Sequence, residues 1–440
     1  MERTRNKQLL GVFKMRKRYV LIGASGRAAG MFAKPMVEEG YTSIVGIYDP
    51  NPLRIEALKE MSGVDCPAYD DCDRMLAELK PDGAVITTVD RYHHEYILKC
   101  LDAGIDAIVE KPMTIDEEKC NAILEAEKRT GRKVTVTFNY RFTPYVTAVK
   151  QAIRDGLVGK VLNVDFEYLL DTVHGADYFR RWHRRKENSG GLLVHKSTHH
   201  FDLINWWIEE EPVEVMAFGT RRFYGPTRAE RGERCLTCSY KKSCEFYFDI
   251  DEVEMNRNLY SQCEEADGYY RDRCVFADEI DIEDSMSVNV KYSKGALLSY
   301  SLIAHSPYEG YKASISGTKG RLEVAEYHSG IRCDEPAYYF DLYDRDGRKV
   351  EYTVPKASGG HGGGDEKLRR MIFEGGLPDP LGHQAGSFAG AVSILIGIAA
   401  NKSIKEGRNI RINDLVPLDK YRKDHVIAQP GKPENRQSRT

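Results

Sequence analysis

Residues 18–49, RYVLIGASGRAAGMFAKPMVEEGYTSIVGIYD, constrain the fold of this chain more than any other stretch. Tyr19, Val20, Leu21 and Ile22 form a short apolar run that stops at Gly23, the pattern of a buried parallel strand. Small residues follow at Gly23, Ala24, Ser25, Gly26, Ala28, Ala29 and Gly30. They permit a tight turn and let backbone approach a ligand closely. A helical pattern then leads to a second strand, 43–48, which ends on Asp49. In this strand–turn–helix–strand–acid order, helix N–H groups hold a pyrophosphate and the acid takes the ribose hydroxyls of a dinucleotide. Against the G-x-G-x-x-G fingerprint, Gly23 fits the first position, Ser25 takes the second and Ala28 the third. Gly26 and Gly30 fall out of register, and an ordinary β–α connection is the bland alternative. Asp49 favours the dinucleotide, and NAD over NADP, because a carboxylate there repels a 2′-phosphate. Arg54, close behind, keeps NADP open.

At 440 residues the chain is long for one core, so two domains are expected. The boundaries are an extension at 1–17, a nucleotide-binding domain at 18–140, a second domain at 141–418 and a polar tail at 419–440. A net charge of −3 gives no electrostatic reason to expect nucleic acid. The basic N-terminus lacks the apolar core of a signal peptide, and no run approaches membrane-span length, so a cytoplasmic protein without a membrane is expected.

Helical patterns at 52–62, 71–80 and 95–102 alternate with strands at 83–87 and 105–109. This alternation makes an α/β, doubly wound parallel sheet, whose ligands bind beyond the carboxyl ends of the strands. Gly23, Asp49, Thr87, Thr88, His93, Glu110 and Lys111 all fall at such ends. After a helix at 145–155 the pattern changes to period-two strands at 161–169, 213–220, 285–292, 296–303, 311–316, 321–325 and 338–343. Short turns join several of them, which indicates an α+β domain with an open, mainly antiparallel sheet. A small-residue helix at 383–401 packs back on this assembly.

Lys111 ends a strand and is followed by Pro112. Desolvation there lowers a lysine's pKa and lets it exchange protons with a hydroxyl; an exposed turn lysine is the bland alternative. On one continuous helix, His195, His199 and Asp202 fall at i, i+4 and i+7, a single face that Trp206 extends. His199 is the candidate base, and Asp202 is placed to orient it. A hydrogen-bonded network without chemistry, or a facial metal site, are the competing readings.

GASGRA, Asp49, TTVDRYHHE, EKP at 110–112, FNYRFTP at 138–144 and the block from Gly190 to Asp202 together resemble the Gfo/Idh/MocA family over roughly residues 18–400. That resemblance implies an NAD(P)-dependent oxidoreductase acting on sugars, inositols or glycosides, with a Rossmann domain, an open sheet and homo-oligomers. It carries the motif lysine onto Lys111 and the catalytic histidine onto His199. The family often has an aspartate four residues before that histidine, where this chain has His195, so Lys196 is placed to share the role. The resemblance further implies that Asn139 and Arg141 lie near the nicotinamide or substrate, and Gly26 and Arg27 of the turn are expected to bind the cofactor. It likens His361-Gly-Gly-Gly-Asp365 to a substrate-contacting loop.

Ten cysteines are present, five of them scattered. Cys235, Cys238, Cys244 and Cys274, with Cys263, fall in an insertion at 230–275; C-x2-C-x5-C and a later thiol suit a structural zinc, with free thiols or an iron–sulfur cluster as alternatives.

The expected function is hydride transfer between a nicotinamide and a hydroxyl carbon of a small sugar, inositol or glycoside. Tyr168, His174, Tyr178, Arg181, Trp182 and His183 are expected to line its pocket, since aromatics stack on sugars and polar groups grip hydroxyls. Two alternatives are a redox-neutral glycoside hydrolase with recycled NAD, and a non-catalytic sugar-binding regulator.

Overall fold

The computed structural model describes residues 16–40 and 42–422. The expected extension up to residue 15 and the tail beyond 422 lie outside the described residues. The first sheet takes its parallel strands from β1 (Lys17–Ile22), β2 (Thr42–Tyr48), β3 (Ala68–Tyr69), β4 (Gly83–Ile86), β5 (Asp106–Val109) and β6 (Val134–Val136). Their order is β6-β5-β4-β1-β2-β3, a Rossmann-like arrangement with its switch point at β1/β4. Local chemistry sets the intervening helices. Asn51 caps the first turn of Pro52–Ser62, Asp71 caps Cys72–Leu79, and Asp116 caps Glu117–Thr130, which ends on left-handed Gly131. The helix expected from residue 95 begins earlier, at His93, because a 3-10 turn at Asp90–Tyr92 feeds directly into it.

The second sheet comprises β7 (Val161–Asp171), β8 (Pro212–Thr220), β9 (Ser285–Tyr292), β10 (Leu297–Ser306), β11 (Gly310–Gly317), β12 (Gly320–Tyr327), β13 (Ala337–Asp344) and β14 (Lys349–Pro355). Two short strands, β15 (Ala385–Gly386) and β16 (Ile410–Arg411), extend the edges of the first and second sheets respectively. The second sheet is antiparallel except for β7 and β10, which pair in parallel. Burial alternates along β9 with period two: Met286, Val288, Val290 and Tyr292 are buried, while Ser287, Asn289 and Lys291 are exposed. The sequence reading missed β14 and the helix Thr172–Arg180 that follows β7.

Two helices pack against the second sheet and each other, Thr198–Ile208 and Ser387–Glu406. Ser387–Glu406 corrects the expectation about membrane length: by length and composition alone its 20 residues are long and apolar enough to cross a membrane. Its apolarity serves packing here, since Ala391, Ile394, Leu395, Ala399 and Ala400 are buried. Gly397 allows the closest approach, because a Cβ there would sit 2.2 Å from the Leu193 carbonyl oxygen.

Two further expectations are corrected. No continuous helix runs from His195 to Trp206: Leu192–His195 ends, Lys196 and Ser197 intervene, and Thr198–Ile208 begins anew. The tail expected from residue 419 starts as a docked turn, Leu418–Lys420. Tyr421 behind it is buried and donates to Asn121 Oδ1 at 2.8 Å.

Candidate functional site

The carboxyl ends of β1, β2, β4 and β5 open onto a cleft of about 790 Å³. Gly23 begins its floor at φ +101°, and a Cβ there would lie 2.8 Å from the Thr88 nitrogen, so only glycine fits. Ser25 Oγ accepts from the Ala28 N–H at 3.1 Å and donates to the Thr87 carbonyl at 3.2 Å. Thr87 Oγ1 donates to the Gly23 carbonyl at 2.7 Å, tying the turn to β4. Asp49 accepts from the Ala24 and Asn51 N–H groups at 2.7 and 2.8 Å; burial raises its pKa while these N–H groups oppose the rise. Gly23, Ser25, Arg27, Asp49, Arg54, Thr87, Thr88, His93, Glu110 and Lys111 all border the cleft. Gly26 and Ala28 do not, because their N–H groups are turned to Tyr260 and Ser25.

Arg27 organises one wall. Its Nε donates to Glu110 at 2.7 Å and its Nη1 to Asp365 at 3.3 Å. Asn139 Nδ2 and His361 Nδ1 converge on the same Asp365, at 2.5 and 3.1 Å. Burial alone would raise the Asp365 carboxyl, yet His361 and Arg27 hold it well below the carboxylate range. The glycine loop, likened from sequence to a substrate-contacting loop, is thereby fastened to the cleft by its own acid.

The chemistry concentrates at the end of β5. Lys111 Nζ lies 3.4 Å from His195 Nε2 and 3.4 Å from the His195 carbonyl oxygen. His195 Nδ1 meets Asp90 Oδ2 at 2.5 Å. Burial pushes Lys111 down to about 8, against the pull of Asp90 and Glu110. Burial also holds His195 well below the usual imidazole range and raises Asp90. Asp90 was missed from sequence, and its signal was the departure already noted: where His195 replaces an aspartate, the acid arrives from the loop after β4. His199 borders the same cleft, buried, with Nδ1 free of any hydrogen bond among the described residues. Burial and the neighbouring lysines keep its ring neutral, well below the ordinary value.

Lys196 also borders the cleft, its Nζ 5.0 Å from the Tyr168 ring centre. Tyr168 itself sits behind that wall, contrary to expectation, because its hydroxyl is spent on Glu309 at 2.8 Å. His174 Nδ1 joins Glu309 at 2.9 Å and Tyr178 bonds His174 Nε2 at 3.0 Å. Against the upward push of burial, His174 and Lys196 hold Glu309 down to about 2. Trp182 and His183 stack at 3.6 Å between ring centres, and both line the cleft with His174, Tyr178 and Arg181.

Two expected site residues belong elsewhere. Arg141 grips Asp202 with a fork, Nε to Oδ2 at 2.6 Å and Nη2 to Oδ1 at 2.5 Å, and both are buried away from the cleft. Asp202 therefore cannot orient His199. Trp206 is likewise committed, donating to the Leu381 carbonyl at 2.8 Å.

The zinc expectation is not met either. Cys235, Cys238, Cys244 and Cys274 border one small cavity, but no group of three or more Cys, His, Asp or Glu is arranged to hold a metal among the described residues. Cys235 Sγ accepts from Arg180 at 3.3 Å and Cys244 Sγ from Arg228 at 2.9 Å, so arginines occupy the positions a cation would need. Instead the insertion sends Tyr260, Asp267 and Tyr269 into the cleft wall, which the cysteine spacing did not signal.

Residues 17–138 match the description "Oxidoreductase family, NAD-binding Rossmann fold", and residues 150–412 match "Oxidoreductase family, C-terminal alpha/beta domain". The chain belongs to the Gfo/Idh/MocA family. It is 40% identical to YteT of Bacillus subtilis (strain 168), described as an oxidoreductase, over 91% of this chain and 99% of that protein. An inositol 2-dehydrogenase of Rhizobium meliloti (strain 1021) is 32% identical over 46% of this chain and 58% of its own length. The fold is shared with the WlbA dehydrogenase of Chromobacterium violaceum, crystallised with NADH and UDP-GlcNAcA, at TM-score 0.62, 17% identity and coverage of 91% and 97%. This Gfo/Idh/MocA protein is thus an NAD(P)-dependent oxidoreductase, related to inositol and glucoside dehydrogenases.

Proposed function

We propose that the enzyme oxidises a secondary hydroxyl of a sugar, inositol or glycoside. The observation carrying this reading is the chain Lys111–His195–Asp90 beside a neutral His199 whose Nδ1 has no hydrogen bond among the described residues, all on one cleft with the dinucleotide turn. The dehydrogenases among the relatives, named for inositol and for D-glucosides, support the substrate class. The bound nicotinamide supplies the hydride acceptor. His199 accepts the hydroxyl proton as the carbon is oxidised, because a neutral imidazole is ready for it at working pH. Lys111 holds the same oxygen and, as a free amine, takes that one proton on from His199 towards His195 and Asp90. Trp182, Tyr178 and His174 present the stacking faces and polar tips that a polyol ring requires.

The test is to incubate the purified protein with NAD⁺ and a panel of sugars, inositols and aryl glycosides while following NADH absorbance and aglycone release. NADH formation with at least one panel member is the expected result. Aglycone release without NADH would replace this reading with redox-neutral hydrolysis, and binding with neither would make the protein a sensor.

A pH profile follows from Lys111. Burial favours its uncharged form, so the amine is protonated below about 8 and free above it. Oxidation needs the free base, so kcat should climb as pH rises through about 8 and then level off. A flat profile across about pH 6–9 would remove Lys111 from proton transfer.

A further inference from the structure

The insertion between β8 and β9 does more than wall the cleft. Its helix Glu254–Leu259 and the turn Ser261–Cys263 dock onto the first sheet's nucleotide-binding loops. Leu259 is fully buried in one core cluster with Ile55, Leu58, Ala29 and Phe32. Tyr260 accepts from the Gly26 N–H at 3.1 Å. Asn51 Nδ2 donates to the Cys263 carbonyl and to Asp267 Oδ2, both at 2.9 Å. These contacts join positions more than two hundred residues apart and fall on the turn after β1 and the loop after Asp49.

Arg54 lies in the first turn of helix Pro52–Ser62, beside the strand-end acid. A 2′-phosphate at the ribose needs a cation at this place, whereas the two free hydroxyls of NAD need only the acid. Arg54 is not free to serve. Its Nη2 pairs with Asp267 Oδ2 at 2.8 Å and its Nε donates to the Leu259 carbonyl at 3.2 Å. Its guanidinium also lies 5.7 and 5.3 Å from the ring centres of Tyr260 and Tyr269. Asp267 and Asp49 both border the cleft here, so two carboxylates stand where a 2′-phosphate would bring two further negative charges.

We propose that Asp267, by capturing Arg54, is the positioning residue that makes this cleft select NAD over NADP. The role rests on the dinucleotide reading of the cleft, and it belongs to the insertion rather than to the nucleotide-binding fold itself. Releasing Arg54 would hand a planar, permanently charged fork to the phosphate.

The test measures Kd for NAD⁺ and NADP⁺ by tryptophan fluorescence on the full-length chain, the Asp267→Ala and Asp267→Asn variants and the Asp267→Ala/Arg54→Ala double variant. The wild type is expected to prefer NAD⁺. The ratio of Kd for NADP⁺ to Kd for NAD⁺ should fall about tenfold or more in both single variants. It should recover in the double variant, which no longer has a cation to release. A loosened insertion would weaken both cofactors alike and leave the ratio unmoved. An unchanged ratio in both single variants, or a wild-type preference for NADP⁺, overturns the proposal. Absence of binding by either cofactor to the wild type would instead overturn the dinucleotide reading on which it rests.

Discussion

Lys111→Met should lower kcat by about 10³-fold while NAD⁺ affinity stays within about threefold of wild type. Methionine keeps the length and apolar volume of the lysine stem and removes only the amine. The amine is the group within 3.4 Å of His195 Nε2, so its loss cuts the proton path to Asp90 at its first link. In the dinucleotide turn Gly23 and Ser25 bond Thr87, and Asp49 accepts from the Ala24 and Asn51 N–H groups, rather than from Lys111, so the cofactor floor stays intact. Stopped-flow single-turnover kinetics would show the loss in the chemical step, and the pH inflection near 8 should vanish with it. A Met variant that kept about a tenth or more of wild-type turnover would move the proton-transfer role to His199 alone.

What the sequence displayed and what it concealed divide on physical lines. The stretch from β1 to Asp49 was legible because each step is local: an apolar run, a residue that must be glycine, a helix, a strand end. The strands of the second sheet other than β14 and the two-residue β16 were legible for the same reason, since alternation such as that along β9 reports directly which side chains are buried. Periodicity, however, records burial and not partners. His195, His199 and Asp202 did prove buried, yet His195 pairs with Asp90, Asp202 pairs with Arg141, and His199 Nδ1 has no hydrogen bond among the described residues, because the helix breaks at Lys196 and Ser197 and turns the faces apart. Asp90 and His195 stand 105 residues apart, and no spacing rule connects them. The insertion misled most. Its cysteine spacing spoke for a metal, while its placement against Gly26, Asn51 and Arg54 depended on Tyr260 and Asp267, residues with no motif of their own.

Asp202 separates a buried structural pair from a catalytic one. Its carboxylate and the Arg141 guanidinium are both nearly inaccessible, at 2% and 6% side-chain exposure, and they are joined by two short bonds. Burial pushes the Asp202 pKa up, and only Arg141 opposes it. Asp202→Ala would strand the guanidinium in the core with the Gly382 carbonyl, 3.1 Å from Nη1, as its remaining polar contact. Breaking a buried pair in this way costs about 3–5 kcal/mol, whereas replacing both members with apolar residues of similar volume is often close to neutral. Chemical denaturation should therefore find Asp202→Ala destabilised by that amount and Arg141→Met/Asp202→Leu much nearer wild type. The folded fraction of Asp202→Ala should retain most of its turnover, because His199 never depended on this carboxylate. If Asp202→Ala were instead as stable as wild type but slow, the acid would have to reach His199 in the working enzyme. The fork to Arg141 would then be a resting arrangement that substrate binding breaks.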